Sequence, residues 1–343
     1  MKTFIIAEAG VNHNGREELA YALVEAAAGS GADAVKFQTF SADRLVRQGA
    51  ATADYQQRQT GTSDQHALLK SLELPLALHE GLFRRCGELG IEFMSTPFDR
   101  ESADFLAQLG MRRFKIPSGE ITNEPFLAHL ARYGRPLVLS TGMADMDEIT
   151  RAVEVIGQAR ADSGQAPIGG EDLTILHCTS NYPAAYADVN LRAMAKIGQA
   201  TGLPIGYSDH SLGVAVSTAA VALGAVVIEK HFTTDRDLPG PDHRASLTIA
   251  ELTTMVDQIR AVEMALGSPN KRPTESELPV RSLVRRSVTT LRPIPAGAYI
   301  TPEDIGLLRP GTGILPRDSG AVVGKRARHA IDAGMTLQWS DIE

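Results

Sequence analysis

Eight short apolar runs alternate with eight amphipathic segments between Phe4 and Leu266, and few folds accept that pattern. The runs are Phe4–Glu8, Ala34–Gln38, Glu92–Ser95, Phe114–Ile116, Pro136–Ser140, Leu173–Cys178, Pro204–Tyr207 and Val226–Glu229. Apolar residues recur at helical spacing in Glu17–Gly29, His79–Leu89, Glu101–Leu109, Glu124–Tyr133, Asp147–Ala159, Asn190–Ala200, Val214–Leu223 and Ala250–Leu266. Continuous apolar strands between amphipathic helices predict a parallel sheet covered on both faces. Eight repeats predict an α/β fold of the (β/α)8 TIM-barrel type, which takes roughly 250 residues. An open doubly wound sheet is the runner-up. It carries a glycine-rich phosphate loop after its first strand, and Glu8-Ala-Gly-Val-Asn-His-Asn-Gly15 lacks that spacing. The polar stretch 41–71, with Asp54-Tyr-Gln-Gln-Arg-Gln inside it, is too long for an ordinary βα loop and is expected to be a partly ordered active-site loop.

The pattern stops after Leu266. Residues 267–281 hold three prolines among polar and charged residues, as a linker does. An internal repeat follows: Ile294-Pro-Ala-Gly-Ala-Tyr-Ile-Thr-Pro-Glu-Asp-Ile305 matches Ile331-Asp-Ala-Gly-Met-Thr-Leu-Gln-Trp-Ser-Asp-Ile342 in the frame I-x-A-G-x-x-(I/L)-x-x-x-D-I. Two copies of a turn and short strand predict a small, pseudo-symmetric β-rich domain. The expected division is a barrel over 1–267, a linker over 268–284 and the small domain over 285–343.

A net charge of −7 over 343 residues argues against nucleic acid as the main partner, while leaving room for a local anion site. The two cysteines, Cys86 and Cys178, read as buried thiols in a reducing compartment. The N-terminal apolar run is too short for a signal peptide, and no run of about 18 apolar residues predicts a membrane span. The expected location is cytoplasmic.

His210 and His231 are expected just past the ends of two consecutive strands, on the face where barrel enzymes do their chemistry. Two neutral imidazoles with open positions suit a catalytic divalent metal, against the plainer reading of two hydrogen-bonded structural histidines. Lys36 and Lys115 form a candidate anion clamp, with the hydroxyls of Thr96, Ser118, Ser140 and Ser208 as donors. Glu8, at the mouth of the first strand, is the candidate acid/base group; an ion pair with a neighbouring lysine is its structural alternative.

Nine motifs in order carry a resemblance that spans essentially the whole chain. They are E-A-G-V-N-H-N-G (8–15), V-K-F-Q-T (35–39), S-T-P-F-D (95–99), F-K-I-P-S-G-E (114–120), L-S-T-G-M (139–143), H-C-T-S-N-Y-P (177–183), G-Y-S-D-H-S (206–211), E-K-H-F-T (229–233) and L-P-G-P-D-H-R-A-S-L (238–247). The chain resembles the sialic acid synthases, more broadly the nonulosonic acid synthases, and its C-terminal repeat resembles their antifreeze-like (SAF) domain. The resemblance implies a transferase that condenses phosphoenolpyruvate with an N-acetylated amino sugar and releases phosphate. It implies that His210 and His231 hold a divalent metal, Mn²⁺ or else Mg²⁺ or Co²⁺. Lys36, Thr96, Lys115, Ser118, Ser140 and Ser208, together with Ser180 or Asn181, match the phosphoenolpyruvate contacts. Gln38, Tyr182 and Asp242 match the sugar side, and Glu8, Tyr182 and Lys115 the catalytic positions. Arg309 matches an arginine that the antifreeze-like domain of a homodimer places over the partner's barrel. The expected sugar is N-acetylmannosamine, giving N-acetylneuraminate. The alternative is a 6-deoxy-2,4-diacetamido hexose, giving legionaminate or pseudaminate; a remote one is a carbohydrate-binding protein without activity.

Overall fold

Strands buried on both faces need apolar side chains on both, and the eight runs supply them. In the computed structural model of the chain, which describes residues 2–343 apart from the side chains of residues 54, 55 and 58, the strands are Phe4–Gly10 (β1), Ala34–Thr39 (β2), Glu92–Pro97 (β3), Phe114–Ile116 (β4), Leu137–Ser140 (β5), Leu173–Cys178 (β6), Ile205–Asp209 (β7) and Val227–Thr233 (β8). Their ladders are parallel, in the order β3-β2-β1-β8-β7-β6-β5-β4. The two ends of that order, β3 and β4, lie alongside each other, so the barrel is nearly closed. Outward residues such as Ile5, Phe37, Phe114, Leu139 and Ile228 pack against the helices in one large core. Inward residues Ile6, Ala34, Met94, Val138, Leu176 and Val227 fill the floor of the barrel. Gly206 stands where the floor has no room: a Cβ there would lie 2.5 Å from a Leu176 methyl and from the Val227 carbonyl oxygen.

Strands β1, β7 and β8 run further than their apolar runs, because a ladder needs backbone groups and not apolar side chains. His231 therefore lies inside β8, not past its end, while His210 directly follows β7. The stretch 41–71 is more ordered than a loop. It holds helices Ala42–Leu45, Asp54–Thr60 and Gln65–Leu72. Asp64 caps the third helix through the backbone N–H groups of His66 and Ala67. Asp43 binds both His66 and Lys70, tying the first helix to the third. The side chains of Asp54, Tyr55 and Arg58, within the segment expected to reach the site, lie outside the described residues.

Contacts divide the chain after Gly267. The second unit has its own core, including Val288, Ile294, Ile300, Ile331, Leu337 and Ile342. Its internal repeat is visible in the backbone. Ile294 and Ile331, the first residues of the two copies, pair with each other, and Gly297 and Gly334 both take the left-handed conformation. Asp304 and Asp341 each accept a backbone N–H bond of 2.7 Å, from Thr301 and Gln338. Among the described residues no helix is long and apolar enough to cross a membrane.

Behind the barrel wall, Lys230 and Asp209 form a buried ion pair at 2.8 Å between β8 and β7. Asp209 also accepts from the Ser211 N–H and from the hydroxyls of Ser211 and Ser217, and Lys230 donates to the Ser211 carbonyl. Losing one partner of a fully bonded buried pair strands the other. Lys230→Met is expected to lower the unfolding free energy by about 3–5 kcal/mol in chemical denaturation. A loss under ~1 kcal/mol would show that the pair holds nothing together.

Candidate active site

Above the apolar floor, strand alternation turns the next inward positions polar. Glu8 lies two residues beyond Ile6, Lys36 two beyond Ala34, Thr96 two beyond Met94, Ser140 two beyond Val138, Cys178 two beyond Leu176 and Glu229 two beyond Val227. They line a cavity of about 510 Å³ together with Gln38, Lys115, Ser118, Ser180, Tyr182, Ser208, His210, His231 and Asp242. Thirteen of the fifteen residues expected at the site are therefore brought together. Ser180 lines the cavity and Asn181 does not; the chain bends here, with the Asn181 N–H bonded to the Thr179 carbonyl at 3.0 Å. Arg309 belongs to the second unit, where it is exposed.

Charge is dense at the barrel axis. The Lys36 ammonium lies 2.6 Å from Glu8, 3.5 Å from Glu229, and donates to the Thr96 hydroxyl at 2.9 Å. Lys115 lies 3.7 Å from Glu229, which also accepts from Ser208 at 2.8 Å. All four charged groups are buried, so the surroundings set their protonation. Burial, reinforced by the charge of Glu229, raises the pKa of Glu8 against the pull of Lys36. Burial also acts on Glu229, but Lys115, Lys36 and the Ser208 bond outweigh it and hold that carboxylate low. Burial lowers Lys115, while Glu229 and Glu8 outweigh it at Lys36 and raise it. Glu8 is therefore the carboxylate that can take up a proton when charge in the cavity changes.

Glu229 is the residue that the sequence reading passed over. It appeared only as the last residue of the Val226–Glu229 run and the first of the E-K-H-F-T motif. Alternation could have found it: Glu229 shares the face of Val227 and His231, whereas Lys230 between them points to Asp209. Asp209 and Lys230 are wall residues for the same reason. The hydroxyl donors are also less free than expected. Thr96 accepts from Lys36, Ser208 donates to Glu229, and Ser118 accepts from the Gly142 N–H at 2.9 Å while lying 3.2 Å from the Cys178 thiol. Only the buried hydroxyl of Ser140 has no hydrogen-bond partner among these four.

Two imidazoles stand beside this cluster. The rings of His210 and His231 are 5.7 Å apart, and the Tyr182 ring lies 4.0 Å from His210. Burial pushes His210 down to about 4, and burial with the neighbouring His210 pushes His231 well below its ordinary value. Both rings are neutral at pH 7. His210 Nδ1 bonds the Thr179 carbonyl at 2.7 Å, which makes Nδ1 the donor and leaves a lone pair on Nε2. His231 Nδ1 is buried with no hydrogen-bond partner. Neutral rings with unused nitrogen fit a divalent cation. Among the described residues no group of three or more His, Cys, Asp or Glu is placed to complete such a site. Two protein ligands leave most positions to substrate and water, as at a catalytic centre.

Comparison with known proteins bears on the family and the fold. Residues 23–271 match the NeuB family and residues 285–343 match the SAF domain. The chain is 52% identical to the N,N'-diacetyllegionaminic acid synthase of Legionella pneumophila, over 100% of this chain and 95% of the relative. It is 44% identical to the N,N'-diacetyllegionaminic acid synthase of Campylobacter jejuni, over 95% of this chain and 96% of the relative. Among solved structures, the N-acetylneuraminic acid (sialic acid) synthetase of Leptospira borgpetersenii superposes with a TM-score of 0.70 at 32% identity, covering 82% of this chain and 90% of that one.

Behind three cavity-lining residues, Gly142 leaves no room for a side chain. A Cβ there would collide with the Ser180 hydroxyl and lie 2.8 Å from the Cys178 sulfur and 2.9 Å from the Ser118 oxygen. Gly142→Ala should displace these groups, and a displacement near 1 Å costs on the order of 10²-fold in kcat/KM. An unchanged kcat/KM with an unchanged melting temperature would remove this corner from the site.

Proposed function

The chain belongs to the NeuB family and ends in a SAF domain, and from that premise we propose that it is an N,N'-diacetyllegionaminic acid synthase. It condenses phosphoenolpyruvate with a 6-deoxy-2,4-diacetamido hexose and releases phosphate. The observation that carries the chemistry is the buried quartet of Glu8, Lys36, Lys115 and Glu229 beside two neutral imidazoles. The choice of sugar rests on the end-to-end similarity to the two legionaminic acid synthases, which is higher than that to the sialic acid synthetase. This reverses the order expected from sequence, where N-acetylmannosamine came first.

The residues divide the work as follows. Lys36 and Lys115 hold the anionic groups of phosphoenolpyruvate, with the Ser140 hydroxyl as the spare donor. The corner made by Ser118, Ser180 and Gly142 sets their position. Carbon 3 bonds to the aldehyde carbon, whose oxygen becomes a hydroxyl and takes one proton. Water adds at carbon 2 and gives up one proton. The bond from carbon 2 to the phosphate oxygen then breaks: phosphate leaves with the electron pair and takes the second water proton, as the hydroxyl at carbon 2 becomes the ketone oxygen. Glu8, poised by burial between its charged and neutral forms, carries the proton from the water to the aldehyde oxygen. His210 and His231 would hold a divalent cation, which supplies Lewis-acid polarisation of the aldehyde. Asp242 is buried against the cavity with its pKa raised to about 6 by that burial, and serves as a bonding group for the sugar.

Phosphate release from phosphoenolpyruvate, measured against a panel of N-acyl hexoses, tests the reading. The diacetamido sugar should have the larger kcat/KM, turnover should stop on chelation, and Mn²⁺ or Mg²⁺ should restore it. A larger kcat/KM for N-acetylmannosamine would return the sialic acid reading. No release with any sugar would sink the synthase assignment.

The same proposal includes a homodimer. Among the described residues no arginine lines the cavity, and Arg309 is exposed in the second unit. Arg309 would serve the sugar site of a partner subunit. Mixing Arg309→Ala chains with His231→Ala chains under subunit exchange should restore activity, since a mixed dimer has one site free of both defects. No recovery in proven heterodimers would place Arg309 elsewhere.

A further inference from the structure

The cavity has two kinds of wall. Barrel strands supply the charged and hydroxylated one. The opposite one comes from the 42–72 segment, through Leu45, Val46 and Leu69, backed by Phe40 and Phe98. Leu45, Leu69 and Phe98 are only partly buried, resting on a small core of Val11, Phe40, Leu68 and Leu72. Phe40 and Phe98 meet edge to face with ring centres 6.0 Å apart, which fixes that backing. A partly exposed leucine in a cavity keeps apolar surface in water until an apolar part of a ligand covers it.

Geometry says which part of a sugar arrives there. The aldehyde carbon must lie by the imidazoles and the lysines, deep at the axis. Carbon 6 is the far end of the hexose chain and so points out of the barrel. Beyond the strand ends the cavity is lined by Glu120, Tyr182 and Asp242, which are polar, and by the 42–72 segment, which presents Leu45, Val46 and Leu69 as an apolar patch beside Gln56 and Gln65. A hydroxyl at carbon 6 set against Leu45, Val46 and Leu69 would lose water and gain no partner from those three side chains.

We infer that Leu45, Val46 and Leu69 form a methyl subsite for carbon 6, and that this face selects 6-deoxy aldehydes. The inference rests on the reading of the chain as a phosphoenolpyruvate-dependent sugar aldehyde synthase and goes further by naming the residues that choose the sugar. An apolar pocket rejects an added hydroxyl only moderately, so the selection is expected to be on the order of 10–100-fold.

The probe pair is N-acetylmannosamine and its 6-deoxy analogue, which differ at carbon 6 alone. The readout is the ratio of their kcat/KM values, which is internal to each variant and independent of how much of it folds. The wild-type chain should favour the 6-deoxy sugar by about 10–100-fold, and Val46→Thr and Leu69→Asn should each bring the ratio within about three-fold of one. Leu69→Met should keep it. A selective wild type whose ratio survives both polar substitutions would put the methyl group elsewhere. A wild type indifferent to carbon 6 would abolish the subsite, yet leave the legionaminate reading standing if the diacetamido sugar is still the better substrate. Failure of the diacetamido sugar itself would count against that reading and not against the subsite, which the probe pair measures separately.

Discussion

The mouth of the barrel depends on one electrostatic constraint: two lysines and two glutamates buried within contact of one another. Unpaired charges at such depth are costly, and only alternating signs with short contacts keep them ionised. That demand fixes its surroundings. The layer beneath must be apolar and full, which Leu176, Val227 and the missing side chain of Gly206 achieve. The imidazoles beside the cluster cannot add further positive charge, and burial keeps both neutral. The quartet carries no net charge when all four groups are ionised. An incoming anion breaks that balance, and Glu8, with its pKa already raised, is the group that can answer by taking a proton.

The fold was legible because barrels leave a strong trace. Strands such as Phe114–Ile116 and Leu173–Cys178 ended where the apolar runs did. The runs misled where a ladder continues past the apolar residues, above all in β8, which goes on through Glu229, Lys230 and His231. The site was legible as a set of residues but not as a set of directions. A cluster such as Glu229-Lys230-His231 states that a rim is polar. Which members face the axis follows from strand alternation, and a slip of one residue exchanges every side chain between the faces. That is why Glu229 went unnoticed.

The 42–72 segment was illegible for a different reason. Its helices are short, and its order comes from contacts distant in sequence: Asp43 with His66 and Lys70, and the Ala42 N–H with the Glu73 carboxylate at 2.6 Å. Helices this short have little stability of their own, so no periodicity announces them. The C-terminal repeat is the opposite case. Its symmetry was written in the sequence, and the pairing of Ile294 with Ile331 realises it in the backbone.

Chemistry and choice of substrate thus rest on different kinds of structure. The groups that hold charge and protons project from strands whose ladders fix them, and small errors in their position are expensive. The face that meets the outer end of the sugar belongs to a segment held by side-chain ties and packing, not by a barrel ladder. Changing Val46 or Leu69 breaks no barrel ladder and touches no member of the quartet. A scaffold built this way can alter the aldehyde it accepts while the reaction at its axis stays the same, because the two requirements are met by residues that share a cavity but not a framework.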